Sequence, residues 1–161
     1  MDRILVSACL IGWPVRFDGA ARTLADDRLA RWADEGRLVP LCPEVSAGLS
    51  TPRTPLEIAP GATAADVLAG RAEVIDADGG EWSAQMREGA RIAVATARVR
   101  GCRYALLTDG SPSCGAATVA DGTFSGTKIP GDGLVARALR DAGLEVFADV
   151  EALAARLAQT E

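Results

Sequence analysis

The sequence contains no histidine, which excludes Ser-His-Asp and Cys-His catalysis and every histidine-bearing metal site. Acid–base work falls to Asp, Glu, Ser, Thr, Tyr, Cys or the one lysine, Lys128. Lysine occurs once and the arginines are scattered, and the formal charge of −5 opposes a nucleic-acid surface, which needs clustered Lys and Arg. No nucleic-acid partner is expected. No apolar run approaches the roughly 18 residues of a membrane span, and Met1-Asp2-Arg3 leads into a strand, unlike a signal peptide. The expectation is a cytoplasmic chain with no membrane partner. CxxC pairs, repeats and low-complexity tracts are also missing. The four cysteines do not suggest a disulfide scaffold, because 48% hydrophobic content suffices for a core, and in a reducing compartment thiols serve metals or catalysis.

Hydrophobic periodicity predicts one α/β domain over residues 1–161, with three layers, a mainly parallel Rossmann-like sheet and helices on both faces. A strand over residues 3–8 is followed by a turn-rich loop, a helix near 25–35 and a strand over 38–42. This is a β-α-β unit, which makes parallel neighbours. Four prolines between residues 43 and 60 exclude a regular helix there. Short strands near 56–58 and 73–76 pair, a long helix runs over 81–100, and a strand over 103–108 leads into Asp109-Gly110-Ser111-Pro112-Ser113-Cys114-Gly115. Residues 117–130 read as a loop or hairpin. A helix over 132–142, a strand over 145–148 and a closing helix complete the chain.

Cys9, Cys42 and Cys114 fall at or just after the carboxyl ends of three predicted strands, where open parallel sheets bind their ligands. If the strands are neighbours, three soft thiolates converge, and a metal or an iron–sulfur cluster follows. Buried packing thiols are the competing reading, and placement alone leaves both standing. Cys102 precedes its strand and belongs at the opposite edge. Glu44 lies two residues after Cys42, and Ser111 three before Cys114. A Glu and a Ser beside a Lewis-acidic centre could position or deprotonate water. Alone, a cap for Glu44 and a turn hydroxyl for Ser111 are the favoured readings.

The runs Ser7-Ala8-Cys9-Leu10-Ile11-Gly12, Val15-Arg16-Phe17-Asp18-Gly19, Cys42-Pro43-Glu44, Thr51-Pro52-Arg53, Ser111-Pro112-Ser113-Cys114-Gly115 and Gly122-Thr123-Phe124-Ser125-Gly126 resemble the thiouracil desulfurase family, in the family's order. The resemblance implies a [4Fe-4S] cluster on Cys9, Cys42 and Cys114 with one iron free of protein, and catalytic roles for Glu44 and Ser111. It also implies a small thiolated pyrimidine as substrate, desulfurated without redox change. The competing class is a non-enzymatic iron–sulfur or zinc carrier or sensor using the same thiols. Oligomeric state is not readable.

Other residues suggest lesser roles. Arg16 and Asp18 could hydrogen-bond a pyrimidine edge or pair with each other, and Ser113 is a further candidate for substrate contact. Arg53 and Glu57 read as a pair bracing the proline loop. Trp13 and Phe17 could stack on a ring or anchor their loop. The glycine-rich run 122–128 lacks the Gly-Lys-Ser/Thr order of a phosphate loop. At the entry to the helix after Pro130, Asp132 is expected to cap and free N–H groups could face a ligand.

Overall fold

The computed structural model describes residues 1–160. In chain order its elements are β1 (Arg3–Ser7), α1 (Asp27–Asp34), β2 (Leu38–Leu41), α2 (Pro43–Ser46), β3 (Glu57–Ile58), α3 (Ala64–Leu68), β4 (Val74–Ile75), α4 (Ser83–Arg100), β5 (Cys102–Leu106), β6 (Thr118–Ala120), β7 (Lys128–Pro130), α5 (Leu134–Asp141), β8 (Glu145–Phe147) and α6 (Val150–Ala158). A 3-10 turn, Ala8–Ile11, follows β1 directly.

The central sheet is parallel, in the order β2-β1-β5-β8. Period-two alternation along its strands sorts the core into two halves. Leu5, Ala105 and Leu107 face Ala90, Ala93 and Ala97 of α4 and Leu134 and Leu139 of α5. Ile4, Val6, Tyr104 and Leu106 face Leu29 and Trp32 of α1 and Val150, Leu153 and Leu157 of α6. The result is the expected three-layer α/β architecture, Rossmann-like only loosely, since its sheet has four strands.

The order reverses at β1. The chain passes from β1 to β2 on one side and then crosses to β5 on the other, so a crevice opens between the carboxyl ends of β1 and β5. Cys9 follows the first of these strands and the loop 107–115 the second. Among the described residues, no helix is long and apolar enough to cross a membrane.

The proline-rich stretch differs from expectation. Pro43 occupies the first position of α2, where a missing N–H costs nothing, so a single helical turn forms where a longer helix is barred. The turn packs closely on α4, because a Cβ on Gly89 would lie 2.9 Å from the Pro43 carbonyl oxygen. The helix α3 was also missed by periodicity, being one turn and a residue long, yet it carries a full capping box between Thr63 and Asp66. Residues 118–130 do form a hairpin, β6 against β7.

Candidate active site

The carboxyl ends of β1, β2 and β5 border one cavity of about 650 Å³, lined by Cys9, Cys42 and Cys114 together. Each cysteine is placed by its own local device. Cys9 sits in the 3-10 turn closed by Gly12, whose left-handed φ of 98° suits a residue without a Cβ. Cys42 forms the N-terminal boundary of α2, and its thiol donates to the Val15 carbonyl at 3.7 Å. Cys114 lies in a loop clasped by the start of α5. The amides of Gly133, Leu134 and Val135 donate to the carbonyls of Gly115, Pro112 and Ser113 at 2.7, 2.8 and 2.8 Å.

This clasp corrects the expectation for the α5 entry. The amides hold the Cys114 loop and are not offered to a ligand, while Asp132 pairs with Arg140 at 3.5 Å and Gly133 stands at the cap. Only glycine permits the approach at 133, since a Cβ there would strike the Ser113 carbonyl.

The thiols sense one another. Burial pushes the Cys114 thiol up, the Ser7 hydroxyl opposes this, and Glu44, Cys42 and Cys9 push it further. Burial likewise raises Cys9, with Cys42 adding to it and the Thr108 hydroxyl, Arg16 and Arg22 pulling it down. Buried thiols whose ionised forms repel each other are stabilised as thiolates by a bound cationic centre. Among the described residues, no three His, Cys, Asp or Glu donors gather tightly enough for a single metal ion. A cubane takes each thiolate on a separate iron, so three soft donors spaced round a cavity suit a [4Fe-4S] cluster better than zinc. Cys102 opens β5 opposite Arg3, at the other end of the sheet from the cavity.

Glu44 and Ser111 line the same cavity. Glu44, at the second residue of α2, receives Arg53 Nη2 on Oε2 at 2.7 Å. Arg53 therefore pairs with Glu44 and not with Glu57, which instead accepts the amides of Gly122 and Phe124 at 2.9 and 3.2 Å. The reason lies in placement: β3 turns Glu57 toward the hairpin bend, while Arg53 reaches α2. Ser111 Oγ accepts the amides of Ser113 and Cys114 at 3.1 and 3.2 Å. Its proton remains available to donate.

The other candidates separate. Arg16 lines the cavity, close enough for its charge to act on Cys9. Asp18 stays outside the lining, with Oδ1 on the Ala20 amide at 2.9 Å. Ser113 borders the cavity, but its hydroxyl is turned onto the Met86 sulfur at 3.8 Å. Phe17 is in the lining and Trp13 is not.

Sequence reasoning missed Arg22, Ser7 and Thr108 at the site, and had Lys128 only among the possible acid–base groups. Arg22 donates to Thr108 Oγ1 and the Asp109 carbonyl at 3.2 and 3.1 Å, and Lys128 to the Gly110 carbonyl at 3.3 Å. Ser7 and Thr108 were within reach of inference. Both sit at the ends of predicted strands that the structure makes neighbours, and Thr108 donates its amide to Ser7 Oγ at 3.0 Å.

The sequence model of the 2-thiouracil desulfurase family matches residues 4–151. The chain belongs to this family. It is 40% identical over 148 residues to the uncharacterized protein YbbK of Bacillus subtilis (strain 168), covering 92% of this chain and 96% of that one. Among solved structures it resembles the [4Fe-4S]-dependent thiouracil desulfidase TudS, with a TM-score of 0.89, 35% identity and 99% of each chain covered. The 2-thiouracil desulfurase match spans all three cavity-lining cysteines, Glu44 and Ser111.

Proposed function

We propose that the protein is a [4Fe-4S]-dependent thiouracil desulfidase, which converts a thiocarbonyl and water to a carbonyl and hydrogen sulfide. Cys9, Cys42 and Cys114 would hold the cluster. When bound, the cluster supplies an open iron, a soft Lewis acid for the thiocarbonyl sulfur. Glu44 Oε1, which takes no hydrogen bond among the described residues, accepts a proton from the attacking water. The Ser111 hydroxyl, with its oxygen occupied by two amides, donates to the water or the ring. Arg16 offers N–H groups to the ring's carbonyl edge. All four cysteines are unpaired, in keeping with a cytoplasmic protein.

The observation that carries the reading is the shared lining: one cavity collects three thiols, the Glu44 carboxylate and the Ser111 hydroxyl. A carrier or sensor has no use for a half-buried, held carboxylate and a ligand-sized space beside its cluster. The test is anaerobic reconstitution followed by incubation with 2-thiouracil. Uracil and sulfide should appear in equal amounts over many turnovers. A fully loaded protein that releases neither would return the chain to the carrier class.

A further inference from the structure

The Glu44–Arg53 pair is almost closed to water, with side-chain exposures of 14% and 6%. Its cation is itself held. Arg53 Nη1 donates to the Ser50 carbonyl and Thr51 Oγ1 at 3.3 and 3.2 Å, and the Arg53 amide donates to the Phe17 carbonyl at 2.7 Å. Phe17 belongs to the loop that follows Cys9. The guanidinium thus stands in a fixed position before it touches Glu44, and Arg53 is the one hydrogen-bond partner of that carboxylate among the described residues.

Stability is a weak explanation for such a pair. Desolvation of two ions commonly cancels their attraction, and here Arg53 Nε is also buried with no acceptor among the described residues. What the arrangement does provide is direction. A glutamate on a one-turn helix has free rotamers, and a held guanidinium on one oxygen selects a single one.

We propose that Arg53 is a positioning residue for catalysis: by fixing Glu44 Oε2 it aims Oε1 at the water that attacks the substrate. The inference rests on the reading of Glu44 as the base. It is tested by a double-mutant cycle over wild type, Glu44→Gln, Arg53→Gln and the double variant. Turnover, KM, iron per chain and thermal midpoint are read for each. Arg53→Gln should lower kcat about 10- to 100-fold with KM and iron nearly unchanged, and should cost nothing further once Glu44 is Gln. If Arg53→Gln does not fold, Arg53→Lys, which keeps the charge and loses the fork, is read in the same two backgrounds by the same criterion. An equal loss in both backgrounds, a loss that follows iron content, or no loss would overturn the positioning role alone. Wild-type turnover in Glu44→Gln would overturn the base assignment and the inference together.

Discussion

Ser111 Oγ accepts the Cys114 amide at 3.2 Å, so the proposed proton donor and a proposed cluster ligand are tied through one hydrogen bond. The serine folds the turn that presents the thiol and offers its proton to the cavity that the thiol lines. A turn hydroxyl and a catalytic hydroxyl are here compatible roles for one residue.

Ser111→Ala should therefore fail in two measurable ways. Losing the two amide bonds loosens the Cys114 loop at a cost of about 1 kcal/mol each, and iron per chain should fall partially. Turnover per bound iron should fall by about 10²-fold or more. Glu44→Gln should lose turnover with iron content intact. A Ser111→Ala protein with wild-type turnover per iron would limit Ser111 to the turn.

Gly133→Ala places a methyl against the backbone carbonyl of Ser113, which has no side-chain rotamer through which to yield. The clasp between α5 and the Cys114 loop must open. Destabilisation of about 2 kcal/mol or more is expected from such overpacking, together with loss of iron binding. Chemical denaturation compared with Gly143→Ala, at a left-handed glycine with no neighbour within 4 Å, separates the collision from backbone strain. Similar losses at both positions would refute the clasp.

Acid should weaken the protein partly through Asp26. The Arg28 guanidinium, with help from the Arg28 amide, lowers this carboxyl from 3.8 to about 2. The folded value lies below the unfolded one, so the contribution is present above about pH 4 and is lost as pH falls through about 2. Asp26→Asn keeps an N-cap oxygen on α1 and removes the charge. Its urea midpoint should lie below wild type at pH 6 and converge with it near pH 2. Parallel curves over that range would show that the shift contributes nothing.

The fold was readable where one rule acted alone. Unbroken apolar runs in Ile4–Val6 and Tyr104–Leu106 announce a sheet buried on both faces, and the carboxyl-end rule then locates Cys9, Cys42 and Cys114. Contacts made by loops were less accessible. Arg53 has acidic residues on either side in sequence, and the choice of Glu44 over Glu57 depends on tertiary contacts, since Glu57 is engaged by the Gly122 and Phe124 amides. Ser113 and Asp18 looked polar and available, yet the Met86 sulfur and the Ala20 amide engage them. Pro43 bars a helix interior but is tolerated at a first helical position, which is where α2 places it.

Iron and acid-labile sulfide per chain, measured after anaerobic reconstitution of wild type and of each cysteine replaced singly by alanine, bear most directly on the central claim. Wild type and Cys102→Ala should hold about four irons per chain, while Cys9→Ala, Cys42→Ala and Cys114→Ala should each lose most of them. Full loading in any of those three variants, or a loss confined to Cys102→Ala, would contradict a cluster held by the three thiols of the cavity.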